Sequence, residues 1–170
     1  MRDEEEMAGE RVPAPHFRAY DDEGNARTLT DYKGRLVVLY FYPKDWSIGC
    51  TKEALEFKRL FREFAERDVA VVGVSRDDVR THREFKSRLE LPFDLLADPS
   101  RRLHEAYGVL RVRMVKRMPT VAVSRSTFVI GRSGDVERVY RNVDPERHPS
   151  ALFSELLESG LLSGRGKSRY

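Results

Sequence analysis

Two apolar runs carry no polar break: Leu36-Val37-Val38-Leu39-Tyr40-Phe41-Tyr42, and Val69 to Ser75 with the wording VAVVGVS. A β-prone run of this kind suits a strand covered on both faces, because neither side has to present polar groups to water. Between the two, Cys50, Ala54, Phe57, Phe61 and Phe64 recur at helical spacing. That stripe predicts an amphipathic helix that lasts to about Arg67. A buried strand, a helix and a second buried strand make a crossover unit, which places the two strands parallel.

The remaining elements are shorter. Pro13 and Pro15 bracket an extended entry into His16-Phe17-Arg18-Ala19-Tyr20, which alternates like a strand. Asp21 to Asn25 is turn chemistry, and it lacks the ligand spacing and the closing Glu of a calcium loop. A short connection over Thr28 to Gly34 leads into the first apolar run. Helices are predicted over Thr81 to Leu89, Arg101 to Tyr107 and Pro149 to Glu158, and a short strand over Phe93 to Leu96. The stretch Arg111 to Arg117, ending at Pro119, reads as a basic loop. Ser126 to Ile130 and Val136 to Tyr140 then form a hairpin around the Gly131 to Asp135 turn. The order predicts an α/β protein with a thioredoxin-like fold, a central mixed β-sheet flanked by helices. Residues 1–12 are expected to be a flexible arm, residues 13–162 one domain, and residues 163–170 a disordered tail. Gly166-Lys167-Ser168 imitates the end of a phosphate loop, but Leu161 stands where its first glycine belongs.

Composition narrows the function more than the fold. The 31 Lys and Arg barely exceed the 28 Asp and Glu, so the net charge of +3 is no nucleic-acid footprint. The longest apolar run is too short to cross a bilayer, and no signal-like segment follows Met1. The expectation is a cytoplasmic protein with no membrane and no nucleic-acid partner. A single cysteine among 170 residues excludes an internal disulfide, a CxxC pair and a cysteine-built zinc site within this sequence. His16, His82, His104 and His148 lack ligand spacing and read as surface or helix residues, so no metal and no cofactor are expected.

Cys50 falls where the central helix begins. An ordinary thiol titrates near ~8.5, whereas unsatisfied N–H groups and the positive end of a helix favour the thiolate. At a pKa of ~6, roughly nine-tenths of the sulfur would be anionic at neutral pH, the form that attacks a peroxide O–O bond. The plainer reading of a lone cysteine is a small buried hydrophobe. Pro43 fixes the backbone leaving the strand and shields the sulfur. Ser47 is a helix cap, or a hydroxyl that binds the sulfur and a peroxide oxygen. Glu53 is a capping-box carboxylate or a part of the site.

Pro43, Ser47 and Cys50, within YFYPKD and GCTKEA, resemble the active-site pattern of the peroxiredoxin family. The similarity is to its bacterioferritin comigratory protein, or peroxiredoxin Q, branch. DYKGRLVVLYFYPKD, VVGVSRDD, LPFDLLADPSRRLHEAYGV and RSTFVI fall in that branch's order, so the likeness covers roughly residues 10 to 160. The resemblance implies a thiol-dependent peroxidase acting on hydrogen peroxide or small organic hydroperoxides. It also implies a site arginine at Arg125, whose guanidinium would favour the thiolate and bond the departing oxygen. Three departures stand out: Ser47 for the commoner threonine, Ile48 for proline, and Leu55 where many members carry a resolving cysteine. A one-cysteine mechanism follows, in which a sulfenic acid is reduced by an external thiol such as thioredoxin, glutaredoxin or glutathione. The alternative is a redox sensor or binding module that forms mixed disulfides with a partner. A glutathione-dependent thiol–disulfide enzyme is a third reading. Either a monomer or a homodimer suits the sequence.

Overall fold

The structure, a computed structural model, describes residues 3–6 and 11–162. Its strands and helices run β1 (Asp3–Glu6), β2 (Arg18–Asp21), β3 (Ala26–Thr28), β4 (Leu36–Phe41), α1 (Ile48–Ala65), β5 (Val69–Ser75), α2 (Val79–Leu89), β6 (Asp94–Ala97), α3 (Arg102–Ala106), β7 (Leu110–Val115), β8 (Met118–Val123), β9 (Ser126–Ile130), β10 (Val136–Arg141) and α4 (His148–Glu158), with a 3-10 turn at Leu29–Tyr32.

Eight strands form one sheet in the order β1-β10-β9-β4-β5-β6-β2-β3. The three central strands β4, β5 and β6 are parallel, joined by the crossovers through α1 and α2. The β9–β10 hairpin adds antiparallel strands on the β4 side. Every residue of β4 and β5 is buried, so both apolar runs are the doubly covered strands their composition predicts. Alternation divides their side chains between two cores. Val38, Tyr40, Tyr42 and Val71 join Phe57, Phe64, Phe85 and Leu152 on the side of α1, α2 and α4. Val37, Leu39, Phe41 and Val72 join Phe17, Leu103, Tyr107 and Phe128 on the other.

Close approach explains one glycine in this sheet. A Cβ on Gly73 would stand 2.9 Å from both the Tyr40 ring and Leu95, so only hydrogen fits where Tyr40 lies across β5.

Three sequence expectations change. Arg111 to Arg117 is not a loop: β7 and β8 make a two-stranded ribbon separate from the main sheet. Val115 pairs with Met118 across a two-residue turn, with Lys116 and Arg117 at φ 49° and 64°. Such left-handed turns suit the strand twist, and Pro119 is tolerated because the ribbon has open edges. Secondly, of the surface-or-helix reading of the histidines, the helix alternative holds for His82, His104 and His148, in α2, α3 and α4, and none of the three is at the surface. His82, His104 and His148 are fully buried, because each finds a side-chain partner: Asp45, Asp98 and Thr127 respectively. Lastly, Asp3–Glu6 pairs with the outer edge of β10 where an arm is expected, since that edge offers unused backbone donors and acceptors. Residues 163–170, with the tail and the Gly166-Lys167-Ser168 segment, lie outside the described residues. No described helix is long and apolar enough to cross a membrane.

Candidate active site

The site forms where β4 hands the chain to α1. Tyr42 still follows the strand, its N–H bonded to the Val74 carbonyl, and the chain then turns through Pro43 to Ser47. Asp45 fixes this turn. Its backbone N–H donates to the Asp77 carboxylate at 2.8 Å, and its own carboxylate accepts from Tyr42 Oη and His82 Nδ1, each at 2.6 Å. His82 Nε2 donates to the Leu96 carbonyl at 2.9 Å. Acceptors face both ring nitrogens, an arrangement that favours the imidazolium, and neither side chain of the pair is exposed. Burial works against the charge on His82, but the bond and charge of Asp45 outweigh it and the pKa is raised. Trp46 follows with φ 70°, an uncommon conformation for a bulky residue, and its indole meets Phe85 edge-on.

Ser47 is the N-cap of α1. Its Oγ accepts the Cys50 N–H at 3.3 Å and donates to the Lys44 carbonyl at 3.1 Å. Cys50 therefore lies in the first turn, the position that turns free N–H groups toward its neighbourhood. Cys50 is 1% exposed, yet its sulfur faces a cation rather than hydrocarbon alone: Arg125 Nη2 donates to Sγ at 3.4 Å. The same guanidinium gives Nη1 to Glu53 Oε1 at 2.9 Å. Glu53 is one helical turn beyond Cys50, so both side chains fall on the buried side of α1.

The electrostatics of this trio follow from burial. Loss of water pushes the Glu53 carboxyl up to about 7, against the pull of Arg125, and nearby Asp144 adds to the rise. Burial works against the charge on Arg125, but Glu53 and Cys50 more than offset it and raise its pKa. Among the described residues, Glu53 Oε2 and Tyr40 Oη have no hydrogen-bond partner. Burial and the carboxylates of Glu53 and Asp45 raise the Tyr40 phenol well above its ordinary range. Gly49 makes room for the cation: a Cβ there would stand 3.1 Å from Arg125 Nη2 and 3.4 Å from Pro145.

Of the residues singled out from the sequence, the structure gathers Cys50, Arg125 and Glu53 into one bonded cluster. Ser47 braces the backbone of Cys50. Pro43 lines an adjoining groove with Lys44, Arg76, Asp77, Pro99 and Arg101. Glu53 is not a capping-box residue, because Cys50 occupies the third helical position and the Glu53 carboxylate turns to Arg125 instead. Ile48 is exposed, and Leu55 is partly exposed on the outer side of α1.

The brace of Tyr42, Asp45 and His82 escaped the sequence reading. Two signals were present: His82 is three residues before Phe85, on the same helical face, and Asp45 is an acid between aromatic residues. The ligand atoms of Asp45, Asp77 and His82 come within 4.8 Å of one another, as they would around a metal. Hydrogen bonds already engage them, since Asp77 also takes the Ser75 hydroxyl and both His82 nitrogens have partners, at Asp45 and at the Leu96 carbonyl.

The sheet order, the two crossovers and the α1 start define the class as a thioredoxin-like peroxiredoxin fold. The chain belongs to the AhpC/TSA family, whose profile matches residues 11–139. It is 39% identical over 143 residues to peroxiredoxin Bcp of Bacillus subtilis, covering 84% of this chain and 91% of that one. A putative peroxiredoxin bcp of Coxiella burnetii is 38% identical over 145 residues, with 84% and 95% covered. Among solved structures, a cysteine-to-serine mutant of Xanthomonas campestris peroxiredoxin Q superposes with a TM-score of 0.81 at 31% identity, over 84% of this chain and 91% of that one. Peroxidoxin BcpB of Mycobacterium tuberculosis gives 0.75 at 30% identity, over 91% and 98%.

Proposed function

We propose that this protein is a thiol peroxidase in which Cys50 is the peroxidatic nucleophile and the reductant is an external thiol. The observation that carries the reading is the 3.4 Å bond from Arg125 to the sulfur at the first turn of α1. The Cys50 thiolate attacks one oxygen of the peroxide, the O–O bond breaks, and the departing oxygen leaves as water or an alcohol after taking a proton. Sulfur becomes a sulfenic acid. Arg125 holds the anion and donates to the departing oxygen, and Glu53 holds the guanidinium in place. Ser47 acts first as the cap that positions Cys50, since its hydroxyl already bonds the Lys44 carbonyl. A cysteine only 1% exposed favours small peroxides and demands that the start of α1 loosen before a bulky thiol can reduce it. A structural relative from Xanthomonas campestris is described by its alkyl peroxide reduction, which supports organic hydroperoxides as substrates here.

The sequence holds no second cysteine, so thioredoxin, glutaredoxin or a glutathione-like thiol must resolve the sulfenic acid directly. The test is peroxide consumption with dithiothreitol or a thioredoxin system, for wild type and Cys50→Ser. Activity is expected to vanish in the variant; equal rates would sink the reading. The missing resolving cysteine also favours a second reading, a redox sensor that passes the oxidised sulfur to a partner as a mixed disulfide. Mild oxidation would then produce discrete adducts on a non-reducing gel, with slow turnover by every small reductant.

A further inference from the structure

The β7–β8 ribbon has no part in the chemistry described above, and its surface is unusual. Met114 and Met118 are 67% and 66% exposed, Val112 is 75% and Val115 47%. Arg111, Arg113, Lys116 and Arg117 are interleaved with them, and no acidic residue occurs between Leu110 and Val123. Among the described residues the ribbon pairs with no other strand. Toward its base it is fixed by the Ser124 N–H, which bonds the Val109 carbonyl, and by Arg76, which donates to the Val121 carbonyl at 3.2 Å. The turn end therefore presents long apolar side chains and cations to the outside.

The register shows what kind of surface would cover it. Val112 pairs with Val121 and Met114 with Pro119, which puts these four on one face. Arg111, Arg113, Val115 and Met118 belong to the opposite face. A flat protein partner covers one face of a two-stranded ribbon and leaves the apolar residues of the other in water. A lipid interface surrounds the end of the ribbon, receiving Met114, Val115 and Met118 together at the headgroup–acyl boundary, while the long stems of Lys116 and Arg117 at the turn carry their charges back to the headgroups. Four cations without a compensating acid call for an anionic counterpart. They also oppose symmetric self-pairing, which would set like charge against like. Nucleic acid would satisfy the charges but not the methionines and valines.

We propose that the β7–β8 ribbon is an interfacial anchor that seats this protein on anionic lipid. This replaces the expectation of no membrane partner, which rested on the lack of a spanning segment and says nothing of a ribbon lying among headgroups. The anchor is close to the reacting sulfur in the chain: β8 ends at Val123, two residues before the guanidinium that bonds Cys50.

Co-sedimentation of the full chain with unilamellar vesicles tests the proposal. Wild type is expected to bind phosphatidylcholine vesicles that contain phosphatidylserine, to ignore vesicles of phosphatidylcholine alone, and to be released by high salt. Each cation near the surface contributes about five-fold in affinity, so Arg113→Gln with Lys116→Gln should weaken binding about twenty-five-fold. Met114→Ser with Met118→Ser should also release the protein, although it leaves the charge unchanged. Both double variants should consume hydrogen peroxide in solution at the wild-type rate, since none of the four residues touches the Cys50 cluster. That control separates loss of the anchor from failure of the peroxidase reading. The proposal is overturned if wild type does not bind the anionic vesicles, or if the methionine variant binds them unchanged. Equal binding of both proteins to duplex DNA would then make the ribbon a charge-driven nucleic-acid surface. Self-association of wild type that the methionine variant abolishes, with no vesicle binding, would make it a dimer contact.

Discussion

At the scale of single residues, the site depends on one guanidinium with two duties. Arg125 spends one amino group on Glu53 and the other on the Cys50 sulfur, a fork that a point charge cannot reproduce. Arg125→Lys keeps the charge but loses the second bond. Peroxide turnover measured at saturating reductant is expected to fall about ten- to a hundred-fold, with the melting temperature changed far less. Gly49 is part of the same arrangement, because any larger residue would press on the guanidinium. The sequence named Cys50, Ser47, Glu53 and Arg125, but not their bonds. Whether Glu53 served the cap or the arginine was open until the start of α1 was located, since a shift of one position decides which backbone N–H it faces.

At the scale of elements, the turn from β4 into α1 is held from behind. The Asp45–His82 pair ties the turn to α2 and, through the Leu96 carbonyl, to β6. Removing one partner of a buried pair leaves the other charged and uncompensated, at a cost of about 3–5 kcal/mol. His82→Leu should therefore lower unfolding stability by about that amount in denaturant titration. Asp45→Asn with His82→Leu, which removes both charges, should recover part of the loss. Full stability in the single variant would show that the pair does not brace the turn. The long elements of the sheet were legible because each is governed by its own periodicity: continuous apolar runs for β4 and β5, helical spacing for α1. The β7–β8 ribbon was not legible, because its alternation is masked by cations on one face and its turn has neither Asn nor Gly.

At the scale of the whole molecule, two buried groups near the site, Glu53 and His82, act in one direction. Glu53 is raised to about 7, so between its ordinary value near ~4.3 and about 7 the folded protein holds a proton that the unfolded chain has released. His82 is raised above its ordinary value of ~6.5, so the stability it contributes is complete below that pH and declines as pH rises through the folded value. Both contributions fall as pH increases through neutrality. The lowered carboxylates Asp21, Asp78 and Asp144 act only in the acid range and do not oppose this trend. In Cys50→Ser, where no thiolate titrates, the melting temperature is expected to drop from pH 5 to pH 8, and adding Glu53→Gln should flatten the part of the slope below about 7. A melting temperature of the Cys50→Ser protein that rises over this interval would contradict the assignment.

The sequence by itself determined the sheet's centre, the helix after it and the place of its one cysteine at that helix's start, because strand and helix periods and a cap are local properties of neighbouring residues. The folded chain alone decided which charges meet. Arg125 is 75 residues beyond Cys50 and His82 is 37 beyond Asp45, separations over which no local pattern specifies a partner. Only the crossovers, by laying β9 beside β4 and α2 over the turn, bring the cation to the sulfur and the imidazolium to the carboxylate.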